Sequence, residues 1–153
     1  MPAVEARLAE LGLVLPELVA PVANYVGWVR QGDLVHVSGQ LSIGPGGGVK
    51  GVVGVDVDVP TAQDAARLCG LNLIAQFRAA CDGDLDRVRR VVKLGGFVQA
   101  GPDFIDIPQV INGCSDLMVA AFGDAGRHAR AAVGVYRLPL GFAVEVDAVI
   151  ALG

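Results

Sequence analysis

The chain has 153 residues, of which 53% are hydrophobic and 18% charged, and a formal net charge of −4. This length fits one domain, which we place over residues 1–153, and so apolar a composition builds a core instead of staying disordered. Sixteen acidic residues against twelve basic ones, with only 5% aromatics, provide neither the basic surface nor the stacking side chains of a nucleic-acid binder.

Several further protein classes are disfavoured. No apolar run reaches the ~18 uncharged residues of a membrane span, and the N-terminus lacks the cationic and apolar regions of a signal peptide. The three cysteines are odd in number and never spaced as C-x-x-C, which disfavours a disulfide framework or a zinc site. We therefore expect a cytoplasmic protein without a metal or another cofactor.

The first part of the chain predicts a short helix followed by a β-hairpin. The helix covers residues 4–11 within an N-terminal extension over residues 1–20. Between residues 24 and 43, two β-rich runs flank Gln31-Gly32-Asp33, which is typical of a hairpin turn. Residues 52–59 alternate Val with Gly or Asp and predict an edge strand or an extended segment.

Two amphipathic helices follow, with a strand between them. The first is predicted over residues 61–81, starting from a capping box of Thr61 and Asp64 with Pro60 just outside. A strand is predicted over residues 87–98. The second helix is predicted over residues 108–122, where Gly123 ends it. The chain closes with predicted strands over residues 130–137 and 142–152.

The order β-β-α-β-α-β-β predicts an α+β domain, a mixed or antiparallel sheet with two helices on one face. We expect the last two strands to form a hairpin that turns between Pro139 and Leu140. In that register Val144, Val146 and Ala148 lie opposite Val135, Val133 and Ala131 on the side of the helices. The uncovered face then carries four polar side chains: Arg130, Tyr136, Glu145 and Asp147. A face of this kind, in so apolar a chain, is expected to be covered by other subunits.

Arg130 is the first candidate for chemistry. It begins a strand among the small residues Ala129, Ala131 and Ala132, which leave room for a ligand. A guanidinium group clamps a carboxylate through two parallel hydrogen bonds. The alternative is an ordinary ion pair at a surface or an interface.

Glu145 and Asp147 are the carboxylate candidates, because a carboxylate can orient water or shuttle a proton. The alternative is that they only solvate a strand. Tyr25 could cap a pocket at the start of the first strand, and Gly39 permits close approach of a ligand to the backbone after Ser38.

The residue pattern shows no catalytic triad. Ser38 lacks the G-x-S-x-G elbow of a serine nucleophile, and the chain holds only two histidines, His36 and His128. We interpret His128 as a solvent-facing loop residue.

Residues 129–152, ARAAVGVYRLPLGFAVEVDAVIAL, closely resemble the C-terminal signature of the RidA/YjgF family. That signature is an Arg, two small residues, Val-x-Val, Leu-Pro, and a strand of Val-Glu-hydrophobic-acidic pattern. The segment 25–40, with its Tyr and its Ser-Gly-Gln, resembles the family's first hairpin. The resemblance extends over nearly the whole chain past residue 20.

This resemblance implies a chorismate-mutase-like fold that assembles as a homotrimer around a barrel, with a ligand pocket at each subunit cleft. Better-studied members hydrolyse reactive enamine or imine acids to 2-oxo acids and ammonia. By resemblance, Arg130 grips the substrate carboxylate and Glu145 positions water. The pocket is then lined by four further residues: Tyr25, Ser38, Gly39 and Ala132.

The sequence also departs from the family pattern. Ala132 replaces a small thiol residue, Leu140 stands where a Lys is usual, and the stretch 103–115 is longer than the usual entry to the second helix. These features are similar to a divergent branch labelled as endoribonucleases. Three functions stay open: a deaminase acting on a small carboxylate-bearing metabolite, a non-catalytic carboxylate-binding trimer, and an endoribonuclease, which the acidic composition disfavours.

Overall fold

The computed structural model describes residues 2–21 and 23–153, which contain three α-helices and five strands. The helices are α1 Ala3–Glu10, α2 Val59–Ala80 and α3 Ile107–Phe122. The strands are β1 Trp28–Gln31, β2 Leu34–Leu41, β3 Val88–Gln99, β4 Ala129–Val135 and β5 Val144–Leu152.

The five strands form one mixed sheet in the order β1-β2-β5-β3-β4, in which β3 and β4 are parallel and every other pair is antiparallel. Helix α2 packs on β2 and β5, and α3 packs on β3 and β4. Both long helices cover the same side, as predicted for an α+β fold. We call the opposite side the open face.

Strict alternation along β5 separates the two faces. The side chains of Val144, Val146, Ala148, Ile150 and Leu152 are buried beneath the helices. Glu145 and Asp147 alternate with them and lie on the open face, half-buried. The predicted faces of this strand are confirmed, because apolar residues that alternate with Glu145 and Asp147 can be buried on only one side of the sheet.

The predicted C-terminal hairpin is wrong. β3 lies between β4 and β5, pairing in parallel with β4 and antiparallel with β5. Strand β4 follows β3 through the crossover helix α3, and a crossover connection of this kind returns the chain parallel to the strand it left. The connection from β4 to β5 spans residues 136–143, longer than the 2–5 residues of a hairpin loop.

The buried side-chain amide of Gln99, the last residue of β3, fixes the connection from β4 to β5 by hydrogen bonds. The Nε2 of Gln99 donates to the carbonyl oxygens of Gly51 at 2.9 Å and of Gly141 at 3.3 Å, and its Oε1 accepts the N–H of Leu138 at 2.8 Å. The side chain is only 2% exposed. A polar residue is therefore kept in the core because it satisfies backbone groups of two loops.

The ends of the two long helices are set by capping residues next to them in sequence. The Asp58 carboxylate, which precedes α2, accepts the N–H of Thr61 at 3.0 Å. A hydrogen bond from the Thr61 side chain, and then this backbone bond, lower the pKa of Asp58. The helix therefore begins before the predicted Thr61, with Pro60 inside its first turn. Gly123, at φ +64°, ends α3 as predicted.

Residues 52–58 form turns with isolated bridges instead of the predicted edge strand or extended segment.

Candidate functional site

The structure places the predicted site residues on two different sides of the sheet. Arg130 opposes Leu94 of β3, which is buried beneath the helices, so Arg130 faces α3. Glu145 opposes Phe97 of β3 on the open face. The prediction that Arg130 shares a face with Glu145 and Asp147 is therefore wrong. It relied on the β4–β5 hairpin, whose absence reverses the faces of β4.

The first cluster, which we call the edge site, consists of Arg130, Asn112, Ser115 and His128. The Nη1 of Arg130 donates to Asn112 Oδ1 at 2.8 Å and to Ser115 Oγ at 3.2 Å. Asn112 and Ser115 are three residues apart on α3, a spacing that places them on one helix face. Within residues 2–21 and 23–153, no carboxylate lies within 4.0 Å of this guanidinium group. The cation is thus oriented by neutral groups.

His128 belongs to the edge site: it lies in a loop, as predicted, but it is half-buried and its ring is hydrogen-bonded instead of facing only solvent. Its Nε2 lies 2.9 Å from Ser115 Oγ, and its Nδ1 lies 2.6 Å from the carbonyl oxygen of Gly126. A carbonyl oxygen only accepts, so Nδ1 donates to Gly126; in the neutral ring with this tautomer, Nε2 accepts the Ser115 hydroxyl proton. The sequence signal for this cluster is the pair Asn112 and Ser115, which lie three residues apart on the predicted helix and so share one face. The short turn after Gly123 then brings His128 back beside that face.

Cys114 lies next to Ser115 in sequence but points into the core. Burial raises the pKa of its thiol to about 12, against the opposing charge of Arg130. A thiol at such a pKa is not ionised near neutral pH. All three cysteines, Cys69, Cys81 and Cys114, are buried and free.

The second cluster, which we call the carboxylate site, lies on the open face around Glu145, Asp147 and Gly39. A Cβ on Gly39 would lie 2.9 Å from the carboxyl group of Glu145, so glycine leaves the space this carboxylate occupies. The β2–β5 register shifts between Val37 and Gln40, which marks a β-bulge at Ser38 and Gly39. The bulge therefore includes the glycine that lies against Glu145.

Burial raises the pKa of Glu145, and the nearby charge of Asp147 adds to the effect. Burial also raises the pKa of Asp147, although a hydrogen bond from Gly95 and the charge of Lys93 oppose it. Asp147 borders a cavity of about 330 Å³ that Lys93 and Ala131 also line. Both carboxyl groups therefore hold their protons to a higher pH than usual, which suits groups that take up and return protons.

The remaining predicted residues fall near one cluster or the other. Ser38 Oγ donates to the carbonyl oxygen of Val26 at 2.6 Å, which ties the bulge to the segment before β1. Tyr25 is next to that contact in sequence and is 59% exposed. Ala132 opposes Gly96 and is half-buried on the α3 side, two residues after Arg130.

The two clusters cannot serve one ligand within one chain. Glu145 and Arg130 lie on opposite faces of the sheet, on strands separated by β3. Two strand spacings place β4 and β5 about 10 Å apart. In addition, Arg130 and Ala148 both pair with Leu94 of β3, whereas Glu145 pairs with Phe97, three residues further along that strand. A shared pocket therefore requires a second copy of the chain.

In the part of the chain that the structure describes, no three His, Cys, Asp or Glu side chains come together as a metal would require. None of the helices described is both long and apolar enough to cross a membrane.

Residues 5–148 match the family model described as "YjgF/chorismate mutase-like, putative endoribonuclease". The chain belongs to this family, and its α+β fold with a mixed five-stranded sheet agrees with that of its structural relatives. It is 50% identical to Protein TCP17 of Trypanosoma cruzi over 151 residues, which cover 97% of this chain and 94% of that protein.

Two solved structures illustrate the range of similarity. The Agrobacterium tumefaciens protein Atu1372, described as having unknown function, shares 49% identity and a TM-score of 0.92, covering 99% of this chain and 94% of that one. Escherichia coli TdcF, solved with bound serine, shares 25% identity and a TM-score of 0.62, covering 88% and 92% respectively.

Proposed function

We propose that the protein hydrolyses small 2-imino acids, and their enamine tautomers, to 2-oxo acids and ammonia, in pockets shared between the subunits of a homotrimer. The observation that carries this proposal is the Arg130 guanidinium group, oriented by Asn112 and Ser115 at a sheet edge with no carboxylate partner in the described chain. Such a cation is suited to a ligand carboxylate. The serine bound to the relative TdcF is an acid of matching size.

A second copy supplies the other half of the pocket. The open face exposes Val29, Leu34 and Val133 by 53, 40 and 47%, and apolar groups gathered on one face favour burial in an interface. If the open face of one copy lies against the β4 edge of the next, Glu145 of one chain approaches Arg130 of the other. Repeating this head-to-tail contact closes a ring, and the family resemblance sets the number of copies at three.

The chemistry requires only a clamp, a water molecule and a proton carrier. Arg130 binds the carboxylate of the protonated imine. Glu145 removes a proton from water as the water oxygen attacks the imine carbon, and the C=N electron pair moves to nitrogen. The resulting amino alcohol receives this proton on nitrogen, and its hydroxyl proton passes back to Glu145 as the C–N bond breaks. The departing ammonia takes this proton from Glu145 and becomes ammonium. The 2-oxo acid remains, and Glu145 is again a carboxylate.

The direct test is ammonia release from 2-iminobutyrate, generated in place by a dehydratase acting on threonine. The wild-type protein should accelerate the release of ammonia and of 2-oxobutyrate above the rate in buffer. Equal rates with and without the protein would overturn the deaminase proposal.

The shared pocket is tested by complementation between Arg130→Ala and Glu145→Gln, each inactive alone. When the two variants are unfolded and refolded together, random assembly leaves about a quarter of the pockets with both native groups if each pocket takes one group from each chain. A pocket built within one chain would stay inactive in the mixture. Light scattering should give about three times 15.7 kDa, whereas a stable monomer would remove the shared pocket.

The same observation supports a second candidate, a trimer that binds a small carboxylate without transforming it. Calorimetry with 2-oxobutyrate and with serine distinguishes the two functions. Saturable binding that depends on Arg130, together with no ammonia release, would favour the binding protein.

A further inference from the structure

We propose that Ser115 is a nucleophile activated by His128, which gives the protein a second activity, the hydrolysis of small carboxylic esters through an acyl-serine intermediate. This activity does not depend on imine hydrolysis, although both involve Arg130. Three features of the edge site support it: a series of hydrogen bonds from Ser115 through His128, two hydrogen-bond donors for a negative oxygen, and access to solvent. The contrast with the other serines is the fourth argument.

The first feature is the chain of hydrogen bonds from Ser115 to Gly126. A serine inside a helix commonly bonds to a backbone carbonyl of the preceding turn, but Ser115 Oγ lies 2.9 Å from His128 Nε2. The bond between His128 Nδ1 and the Gly126 carbonyl, 2.6 Å long, fixes the imidazole in the tautomer that accepts the serine proton. The carbonyl orients the base, the role that a carboxylate has in a catalytic triad.

The second feature is the position of Arg130 and Asn112. Arg130 Nη1 lies 3.2 Å from Ser115 Oγ, so a positive charge stabilises the alkoxide as the proton leaves. Asn112 uses its Oδ1 to accept from Arg130, which leaves its amide N–H groups as donors. Arg130 and Asn112 can then stabilise the negative oxygen that develops on an attacked carbonyl.

Access to solvent is the third feature. Asn112 is exposed, while Ser115, His128 and Arg130 are partly exposed. A small ester can therefore reach the Ser115 hydroxyl, which is not the case for the buried thiol of Cys114 beside it.

Among residues 2–21 and 23–153, no base is hydrogen-bonded to the hydroxyl of either other serine, Ser38 or Ser42. Ser38 Oγ donates to the carbonyl oxygen of Val26, and Ser42 Oγ donates to that of Val49 from a fully buried position. A hydroxyl that donates to a carbonyl gains no nucleophilicity from it, because the carbonyl cannot take the proton away. Ser38 is thus an internal control for the reactivity of Ser115.

The reaction balances with water as the only co-reactant. Ser115 Oγ attacks the ester carbonyl carbon while His128 Nε2 takes the hydroxyl proton. The tetrahedral intermediate expels the alcohol as its C–O bond breaks, and the alcohol leaves with the proton from His128. Water, deprotonated by His128, then attacks the acyl-serine, and the Ser115–acyl bond breaks to release the carboxylic acid and restore both side chains.

The test is labelling with a fluorophosphonate, which forms a serine–phosphorus bond and releases fluoride, the proton passing to His128. Peptide mapping of the wild-type protein should find one adduct, on Ser115, and none on Ser38. His128→Gln should slow labelling about 100-fold, the usual contribution of a general base. The matched change His36→Gln, at the other histidine, should leave the rate unchanged.

Ester turnover is the second measurement. With p-nitrophenyl acetate, the wild-type protein should release a burst of up to one nitrophenolate per chain, and Ser115→Ala should show none. An adduct on Ser38, no adduct at all, or equal labelling of wild-type and folded His128→Gln protein would overturn the proposal. No imine is present in either assay, so failure here is distinguishable from failure of the deaminase proposal.

Discussion

The edge site and the carboxylate site differ in the sign of their charge and in what balances it. At the edge site, the cation of Arg130 is oriented by uncharged oxygens of Asn112 and Ser115. At the carboxylate site, burial and Asp147 both disfavour the ionised form of Glu145, and no cation contributes to its shift. In the described chain, the edge site carries a cation without a carboxylate beside it, and the carboxylate site carries two carboxyl groups, of which only Asp147 has a nearby cation, Lys93. Surfaces complementary in this way attract each other and fix a relative orientation, which supports our proposal that the two sites form halves of one pocket.

Removing the charge of the edge site should have the largest effect. Two charge-assisted hydrogen bonds, each contributing ~1.5–3 kcal/mol, correspond to about a thousandfold in kcat/KM for imine hydrolysis. We expect Arg130→Ala to lose that factor in the coupled ammonia assay. Arg127→Ala is the matched control, because Arg127 is an exposed arginine whose nearest carboxylate is Asp124 at 3.9 Å. Activity of Arg130→Ala above a tenth of wild type would show that Arg130 does not anchor the substrate.

On the other half of the pocket, Glu145→Gln should lower kcat by about 100-fold or more, the range of a lost general base, with little change in KM. Asp147→Asn should lower kcat much less, because Asp147 acts on the chemistry only through the pKa of Glu145. Steady-state kinetics of both variants provides the comparison. A KM increase at constant kcat in Glu145→Gln would instead assign this carboxylate to binding.

Gly39→Ala should have an intermediate effect. The new methyl group would lie 2.9 Å from the Glu145 carboxyl group, so the carboxylate must move, and a shift of this size in a catalytic base is expected to reduce kcat about tenfold. Gly95→Ala is the matched change, since its methyl group would displace the Asp147 carboxylate instead. Should both variants lose the same share of kcat, general distortion of the sheet would account for the effect of Gly39→Ala.

The sequence predicted what local chemistry determines and failed where distant segments meet. The C-terminal end of α3 follows from Gly123, and the faces of β5 follow from strict alternation, and both are local signals. In β4, small or apolar residues occupy both faces around Arg130, so its pattern did not indicate which side faces the helices. The pair Ser115 and His128 required knowing that β4 returns parallel to β3 beside α3.

The smallest effect concerns how stability depends on pH. Glu145 and Asp147 have pKa values in the folded chain above the ordinary 4.5 and 3.8. The folded state therefore binds these protons more tightly than the unfolded chain, and their stabilising contribution is present below the ordinary values and lost as the pH rises through the raised ones. Asp58 and Asp86 act in the opposite direction, since hydrogen bonds lower their pKa values and their contribution is lost in acid.

Denaturant unfolding at several pH values, compared between wild type and the double variant Glu145→Gln, Asp147→Asn, isolates the carboxylate site, because Asp58 and Asp86 are common to both. The free energy of unfolding of the wild type should fall more steeply above about pH 4.5 than that of the double variant. Arg130→Ala then tests the contact between copies. A guanidinium group beside Glu145 lowers its pKa, so removing Arg130 should steepen the fall further. A slope that Arg130→Ala leaves unchanged would mean that the edge site of one copy does not face the carboxylate site of another.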